Sequence, residues 1–412
     1  MNRGERLRLT IERPAAGGRM IARHDGAIVF VSGAIPGEVV EAEVEKTQRG
    51  TVWASTRQVL EPSPDRIDAP EGACGGSVFA HIAYERQRQL KGAIIEDAFR
   101  RIGRITLDAP PFVVASPIDG YRMRARLHVR NGRIGFFREG THSLCDAAST
   151  RQLRGDTIEV VRRLEAALAT TPRAVAADIE IAENVDASQR AVHFELVPDA
   201  DPSGLASIAR VDGVTGASCA HPENPRTIDL FGTPLVSDVI RGVTLTRHVR
   251  SFFQGNRYLL DQFVGHVLEH VTAGALVDLY AGVGLFSLTA ATVGAAPITA
   301  VEGDPFAARD LKRNGSGTIA VVELPVERFS TRPGDSIATL IVDPPRTGMS
   351  RDALARAVAI RAARFIYVSC DVATLARDAR ALLDAGYRIS SMRAFDLFPN
   401  TAHVETVIAF SG

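Results

Sequence analysis

The sequence predicts an α/β protein with a doubly wound, mostly parallel sheet in its C-terminal part, a small β-barrel at its N-terminus and a central α+β region. From about residue 246 onward, apolar strand-like runs alternate with helical segments, as in βαβ units. Residues 1–60 instead alternate short apolar stretches with glycine-containing turns. The predicted domains are therefore residues 1–61, 62–245 and 246–412.

The composition is that of a globular protein. Its 412 residues are 45% hydrophobic and 23% charged, enough apolar mass for two or three cores. The formal net charge is zero, so any surface for a polyanion must be local. The N-terminus has no apolar signal-peptide core, and no run reaches the roughly 18 apolar residues of a membrane span, so we expect a cytoplasmic protein without a membrane partner.

The four cysteines give no recognisable metal or disulfide pattern. They are too scattered to predict a disulfide framework, and no CxxC pair suggests zinc. They are Cys74, Cys145, Cys219 and Cys370.

In the N-terminal region, turn residues separate four strand-like runs. The runs are LRLTIE, AIVFVS, EVVEAEVEK and TVWASTRQVL, and the turns fall at Gly17-Gly18, Asp25-Gly26, Pro36-Gly37 and Arg49-Gly50. This pattern predicts a small antiparallel barrel or meander. The following EPSPDRIDAPEGACGG, rich in Pro and Gly, predicts a linker or a long loop.

The central region contains a basic strand. Residues 84–154 have 14 Lys plus Arg against 7 Asp plus Glu. One face of the strand YRMRARLHVR carries Arg122, Arg124, Arg126, His128 and Arg130, and the following Asn-Gly pair predicts a type I′ hairpin turn. Such a face suits RNA or DNA, since phosphate contacts supply affinity. A solvated arginine-rich face is the alternative.

A glycine loop follows the first C-terminal strand, in DLYAGVGLFSL. Glycines allow the backbone to approach a ligand, and Glu302 ends the next strand, where a carboxylate can bind ribose hydroxyls. The third glycine of a dinucleotide fingerprint is missing, so S-adenosylmethionine fits better. A tight strand–helix turn without a ligand is the alternative.

Three further groups follow or precede apolar strands at the same predicted sheet edge. Asp343 begins DPPR, whose prolines make the loop rigid, and Cys370 follows the strand FIYVS. A thiolate at this edge can act as a nucleophile, whereas a buried core cysteine is the ordinary alternative. Glu405 precedes the strand TVIAF and is a candidate base, whose alternative is an exposed edge carboxylate.

The motifs SFFQGN, DLYAGVGLFSL with VEGD, VDPPRTG, and SCDVATLARD with FPNTAHVET resemble the RNA uracil-C5 methyltransferase family in order and spacing. The resemblance implies a TRAM-like barrel, a central RNA-binding domain and a Rossmann-like methyltransferase domain. It also implies S-adenosylmethionine binding by Gln254, Tyr280, Glu302 and Asp343. Cys370 would be the nucleophile and Glu405 the base, and Arg377 and His403 would assist.

The sequence departs from the family in its cluster ligands and in the loop after the nucleophile, and Leu285 stands where some relatives have Asn. Many relatives hold an iron–sulfur cluster with four cysteines, but only Cys74 and Cys145 match, and Asp68 and Ser77 occupy the other positions. Because cluster ligation normally needs four cysteines, we expect no cluster and no metal. The usual SCNP reads SCDV, and Asp371 would oppose formation of the thiolate by like-charge repulsion.

The resemblance implies an RNA substrate, with ribosomal RNA favoured over transfer RNA, and we expect a monomer. An amino-methyltransferase, an RNA cytosine-C5 methyltransferase and a non-catalytic RNA-binding factor are the alternatives. The first needs no thiol, and the second usually has another cysteine near the proline motif, which is missing here. The modified uridine cannot be read from the sequence.

Overall fold

The computed structural model describes residues 1–68, 74–171, 174–332 and 334–412. Part of the predicted linker, residues 69–73, lies outside these ranges. Among the described residues, no helix is both long and apolar enough to cross a membrane.

The N-terminal segment forms a closed barrel because its strands alternate buried and exposed side chains. In the first strand, Leu7, Leu9 and Ile11 are buried and the residues between them are exposed. The barrel strands are β1 (Arg6–Pro14), β2 (Met20–His24), β3 (Ala27–Ser32), β4 (Val39–Gln48) and β5 (Thr51–Glu61), in the spatial order β1-β2-β3-β5-β4. The sequence analysis missed β2, which is short and begins with three consecutive buried residues rather than an alternating pattern.

A helix and a short strand leave the barrel and pack on the C-terminal sheet. They are α1 (Tyr84–Ala98), a π-helical turn (Phe99–Gly103) and β6 (Val113–Val114). Strand β6 pairs with the edge of the C-terminal sheet. This part of the predicted 62–245 region therefore contributes to the sheet that carries the candidate site.

The central sheet has one apolar face and one polar face. Its strands are β7 (Arg124–Arg130), β8 (Arg133–Phe137), β9 (Leu144–Asp146), β10 (Ala176–Glu183), β11 (Arg190–Leu196), β12 (Gly216–His221) and β13 (Asn224–Gly232), in the order β13-β12-β11-β10-β7-β8-β9. The associated helical segments are Ala148–Thr150, α2 (Gly155–Ala169), Pro202–Gly204 and α3 (Leu205–Ala209). Leu127, Ile179 and Phe194 pack in one core with Leu164 of α2. The predicted Asn131-Gly132 turn joins β7 to β8, and both of its residues have positive φ.

The C-terminal part begins with a hairpin and continues as a doubly wound sheet. Its elements are β14 (Leu235–Ile240), β15 (Val243–His248), α4 (Leu260–Leu268), β16 (Gly274–Leu279), α5 (Leu285–Ala291), β17 (Ala295–Glu302), α6 (Pro305–Asn314), β18 (Ala320–Glu323), a 3-10 turn (Val326–Arg328), β19 (Thr339–Val342), α7 (Arg351–Ala359), β20 (Arg364–Ser369), α8 (Val372–Asp384), β21 (Arg388–Phe395) and β22 (Glu405–Ser411).

The sheet order is β18-β17-β16-β19-β20-β22-β21-β6 among the described strands. Strands β16 to β20 run parallel, and β22 is antiparallel to β20. The predicted fold class is confirmed. Strands β18 and β21 were absent from the prediction, since their exposed side chains hide the strand pattern.

Two cysteines form a disulfide that the sequence analysis did not predict. The sulfurs of Cys74 and Cys145 are bonded, with Cα atoms 5.9 Å apart although 71 residues separate them. The pairing arises because Cys74 bridges to Arg138 of the β8–β9 hairpin, which also carries Cys145. The prediction that the cysteines are too scattered for a disulfide was therefore wrong, because residues far apart in the sequence can be close in the fold. Cys219 and Cys370 are free.

A buried ion pair joins α1 to the end of β21. Lys91 Nζ donates to Asp396 Oδ1 at 2.5 Å and to the carbonyl of Phe398, and both charged side chains are fully buried. A buried charge without a partner lowers the stability of the fold, so the charge of each group offsets the desolvation cost of the other.

We expect the Lys91→Met variant to lose about 3–5 kcal/mol of unfolding free energy, because Asp396 would keep a buried, unpaired carboxylate. Urea denaturation measures the loss. The Lys91→Met/Asp396→Leu double variant is the matched control and should recover most of it. A double variant no more stable than Lys91→Met would show that the ion pair is not the source of the stability.

Candidate active site at the carboxyl edge of the sheet

The groups predicted at the sheet edge lie together. Tyr280 follows β16, Glu302 ends β17, Asp343 follows β19 and Cys370 follows β20. Glu405 begins β22, whose antiparallel direction brings its first residue to the same edge. Ligand sites of doubly wound sheets lie at this carboxyl edge.

Strand pairing places Cys370 beside Glu405. Ser369 of β20 pairs with Thr406 of β22, so the next residues along the ladder are Cys370 and Glu405. The charge of the Glu405 carboxylate raises the pKa of the Cys370 thiol, so the two groups lie within electrostatic range of each other. Glu405 is buried and Cys370 is partly exposed. The thiol therefore faces the cleft with a carboxyl group next to it.

Both groups favour their neutral forms in the ligand-free protein. Burial raises the pKa of the Cys370 thiol to about 12, and the carboxylates of Glu405 and Asp343 add to the increase. Burial, followed by the charge of Asp343, raises the pKa of Glu405 well above its usual range. The guanidinium of Arg346 opposes both increases. A cation is therefore already present to favour the thiolate.

Arg346 is the functional residue that sequence reasoning missed, although it stands in the quoted DPPR motif. A tight turn carries it, in which the Gly348 N–H donates to the Pro345 carbonyl at 2.8 Å. Gly348 has φ of +70°, and an added Cβ would come within 2.7 Å of Thr374. Glycine thus allows the loop to pack on α8 with Arg346 exposed at its tip.

A second missed residue, Asp278, lies beside Asp343. Ser287 donates a hydrogen bond to Asp278 Oδ2, whereas the buried Oδ1 has no partner among the described residues. Burial raises the pKa of Asp278 to about 7. Burial and the charge of Asp278 raise the pKa of Asp343 to about 7, although Gln254 Nε2 donates to Asp343 at 3.1 Å. The signal in the sequence was the acidic residue that starts DLYAGVG.

The loop around Tyr280 and Gly282 leaves room for a ligand. Glu302 accepts hydrogen bonds from the N–H groups of Gly282 at 2.7 Å and Asp304 at 2.6 Å, which orients its carboxylate. A Cβ added to Gly282 would meet no heavy atom within 4 Å. Tyr280 has φ of +64°, a strained conformation typical of functional loops. The orphaned Asp278 oxygen and this open cradle fit a ligand with cationic groups and hydroxyls, as in S-adenosylmethionine.

The loop after the thiol is held by a helix cap. Asp371 accepts hydrogen bonds from the N–H groups of Ala373 at 3.1 Å and Thr374 at 2.8 Å at the start of α8. Ser369 Oγ also donates to the Asp371 carbonyl. The residue that departs from the family pattern thus has a structural role here.

Arg377 and His403 lie near the thiol loop in different settings. Arg377 donates to the Met349 carbonyl at 2.9 Å and pairs with Asp378 at 2.7 Å, so it anchors the loop that follows DPPR to α8. Burial, and the charge of Arg346, lower the pKa of His403 to about 4, so its imidazole is neutral at pH 7.

The predicted arginine face is partly neutralised within its own sheet. Arg124 pairs with Glu180, and Arg126 pairs with Asp178, each at 2.6 Å. Asp178 also contacts His128 Nδ1 at 2.7 Å. The carboxylates belong to the adjacent strand β10. The carboxylates of β10 therefore compensate the charges of Arg124 and Arg126, which leaves these two side chains less available to bind a polyanion.

No group of three or more His, Cys, Asp or Glu side chains within residues 1–68, 74–171, 174–332 and 334–412 is arranged to hold a metal ion.

Comparison with protein families and relatives gives a consistent result. A family model described as tRNA (Uracil-5-)-methyltransferase matches residues 334–411, and a TRAM domain model matches residues 1–55. Two relatives are named 23S rRNA (uracil(1939)-C(5))-methyltransferase RlmD. The Halomonas elongata protein is 31% identical, over 98% of this chain and 89% of its own. The Alkalilimnicola ehrlichii protein is 31% identical, over 95% and 94%.

A solved structure shares the whole fold. The Pyrococcus abyssi tRNA (uracil-54, C5)-methyltransferase, in complex with S-adenosyl-L-homocysteine, superposes with a TM-score of 0.78 and 23% identity. The match covers 98% of this chain and 99% of the other. The barrel, the central sheet and the C-terminal sheet therefore recur together in another protein.

We expect iodoacetamide to alkylate Cys370 of the free protein slowly at pH 7, and faster as the pH rises toward 12, because the thiolate reacts and its fraction grows. Arg346→Gln should slow the reaction at each pH, since the cation that favours the thiolate is lost. Mass spectrometry separates Cys370 from the buried Cys219. Arg356→Gln, an exposed arginine of α7, is the control. Equal rates in all three proteins would contradict the role of Arg346.

Proposed function

The chain belongs to the RNA uracil-C5 methyltransferase family, and on that premise we propose that it methylates uridine through a covalent adduct with Cys370, with Glu405 as the base. S-adenosylmethionine is the methyl donor of this enzyme class. The observation that supports the proposal is the position of the two residues, each next to the last pair of the β20–β22 ladder, Ser369 and Thr406, at the ligand edge of the sheet.

The chemistry requires a nucleophile because C5 of uracil is itself a weak one. Addition of the Cys370 thiolate to C6 forms an enolate, which makes C5 electron-rich. Arg346 supports this step, since its charge favours the thiolate. S-adenosylmethionine supplies an electrophilic methyl group on a sulfonium sulfur.

Glu405 would complete the reaction. Once C5 carries its methyl group, the Glu405 carboxylate accepts the C5 proton, and the C6–sulfur bond breaks to release Cys370 and the product. The raised pKa of Glu405 suits this task, because a carboxylate with a high pKa is the stronger base. The target base must leave its stack to reach a group at the strand end, so a flipped or unpaired uridine is expected.

We assign the cofactor to the other half of the edge. Glu302, oriented by two backbone N–H groups, would bind the ribose hydroxyls. Gln254, Tyr280 and Asp343 would hold the remainder of the molecule, with Asp278 as the buried neighbour of Asp343. Three carboxyl groups in one cleft favour a ligand that carries positive charge.

Large-subunit ribosomal RNA is the favoured substrate. The relatives that are 31% identical over nearly the full chain carry names for the uracil at position 1939 of 23S rRNA. Transfer RNA is the second candidate, by analogy with the archaeal structure, which shares less sequence. Both substrates use the same chemistry at Cys370.

We expect a protein–RNA adduct that survives denaturation when the protein and S-adenosylmethionine are mixed with RNA transcribed with 5-fluorouridine. Fluorine at C5 cannot leave as a proton, so the C6 thioether should accumulate. Gel electrophoresis detects the adduct, and sequencing of the trapped RNA identifies the uridine. On ordinary RNA, Glu405→Gln should trap the methylated adduct, because no carboxylate remains to accept the C5 proton.

Cys370→Ala is the matched control and should abolish both the adduct and methyl transfer. Methyl transfer that persists in Cys370→Ala would reject the covalent mechanism and favour an amino-methyltransferase. Cys219→Ala, which removes the other free cysteine, should leave the adduct unchanged.

We also expect S-adenosylmethionine to bind more tightly as the pH rises through 7. Asp278 and Asp343 have pKa values of about 7 without ligand, and a cationic ligand favours their ionised forms. Below pH 7, protons must be displaced, so affinity should fall by up to about tenfold per pH unit for each proton released. Calorimetry in buffers of different ionisation enthalpy measures the number of protons released when S-adenosylmethionine binds. Asp343→Asn should release fewer protons than wild type. An affinity that does not depend on pH would show that Asp278 and Asp343 do not belong to the cofactor site.

A further inference from the structure

The first arginine of the basic strand lies beside the candidate active site. Arg122 forms an antiparallel bridge with Asn256, and the neighbouring Met123 N–H donates to the Gly255 carbonyl at 2.8 Å. The segment it pairs with begins at Gln254, which donates to Asp343. The backbone thus fixes Arg122 next to the residues that end the sheet strands.

The charge of Arg122 has no carboxylate partner among the described residues. Its Nε donates to the Arg124 carbonyl at 2.8 Å, and its Nη1 donates to Gln152 Oε1 at 2.5 Å. Both acceptors are neutral. Arg124 and Arg126, on the same strand face, each pair with a carboxylate of β10. Arg122 and Arg130 are therefore the arginines of this face without a carboxylate partner among the described residues, but Arg130 is exposed at the hairpin end, whereas Arg122 is half-buried and pairs with Asn256.

The surroundings of Arg122 add to the positive potential. Burial lowers the pKa of Arg122, and the charges of Arg124 and Arg346 lower it further. Arg122 and Arg346 both lower the pKa of His403, so all three side chains lie within electrostatic range of one another. A partly buried cation that faces other cations is unfavourable unless a ligand supplies negative charge.

We propose that Arg122 and Arg346 bind the backbone phosphate of the RNA next to the target uridine. The inference rests on the proposed function, since Cys370 defines where that uridine lies. The charge of Arg346 acts on the Cys370 thiol, so we place the anion shared by the two guanidiniums next to the uridine that Cys370 would attack. The cofactor carboxylate is the other available anion, because Gln254 of the proposed cofactor site lies in the segment that pairs with Arg122, and the cofactor affinity measured below distinguishes the two anions.

The neutral contacts of Arg122 orient it before RNA binds. Gln152 accepts from the guanidinium and also contacts Tyr121, which is buried. A Cβ added to Gly76 would come within 2.7 Å of the Gln152 amide, so the segment that begins at Cys74 packs against this amide. The disulfide of Cys74 holds that segment in place. A preorganised guanidinium loses little entropy on binding a phosphate.

The first experiment measures binding of a fluorescent ten-nucleotide oligouridine RNA at several salt concentrations. Arg122→Gln should weaken binding about tenfold and reduce the slope of log K against log salt by about 0.7, the loss of one phosphate contact in a single strand. Arg122→Lys should recover part of the RNA affinity and part of the salt slope. Arg162→Gln, an exposed arginine of α2, is the control with the same change in net charge.

The cofactor provides the opposing outcome. S-adenosylmethionine affinity, measured by calorimetry, should be unchanged in Arg122→Gln. If Arg122→Gln binds S-adenosylmethionine more weakly but shows the wild-type salt dependence of RNA binding, the guanidinium binds the cofactor carboxylate and the proposal is overturned. A variant with neither effect would show that Arg122 only supports the fold, and its melting temperature would fall accordingly.

A second experiment alters the RNA and leaves the protein intact. Synthetic 5-fluorouridine RNA carries one neutral methylphosphonate, placed at each linkage near the target in turn. At one adjacent linkage, the trapping rate of wild type should fall about tenfold, whereas the trapping rate of Arg122→Gln should fall by a smaller factor, because only Arg346 then remains to contact the phosphate. Equal losses in both proteins would overturn the phosphate assignment. If no adduct forms with any RNA, the covalent mechanism fails, but the oligouridine result still decides whether Arg122 binds phosphate.

Discussion

The arrangement of this site depends on one constraint, the shared direction of strands β16 to β20. Parallel strands end at one edge, so residues far apart in the chain converge there without any long side chain having to reach across. Strand β22 runs antiparallel to β20, so it begins where β20 ends and its first residue, Glu405, lies at the same edge. Cys370 and Glu405 are neighbours because their strands pair in this register. A one-residue slip would turn the two side chains to opposite faces.

This convergence has an electrostatic consequence. Asp278, Asp343 and Glu405 are carboxyl groups brought together at this edge, and burial and repulsion between carboxylates raise their pKa values. In the ligand-free protein Glu405 and the Cys370 thiol favour their neutral forms, whereas the pKa values of Asp278 and Asp343 are raised to about 7. Positive charge from a bound ligand, together with Arg346, favours their ionised forms.

The remaining parts of the chain support this edge from outside. The barrel core and the helices of the C-terminal sheet belong to one hydrophobic cluster, and the buried Lys91–Asp396 pair joins α1 to the end of β21. The central sheet brings the basic strand β7 to the cleft, with most of its arginines already paired to carboxylates. Pairing within the sheet compensates Arg124 and Arg126, whereas Arg122, which pairs with Asn256, has no carboxylate partner among the described residues.

The sequence by itself predicted the fold class and proposed the site residues. Alternation of apolar runs with helical segments predicted the doubly wound sheet, and Cys370, Glu405, Glu302 and Asp343 could be found because each stands where a strand begins or ends. These are local signals, carried by a few consecutive residues. Strands β2, β18 and β21 escaped prediction because their exposed or short patterns lack such a signal.

Tertiary structure alone decided which residues meet. The Cys74–Cys145 disulfide, the pairing of Arg124 and Arg126 with β10, and the closeness of Asp278 to Asp343 all join segments distant in sequence. Arg346 gained its role in the same way, because the turn that carries it packs against α8. Burial and charge–charge distance raise the pKa values of Asp278, Asp343 and Cys370, and neither quantity exists until the chain has folded.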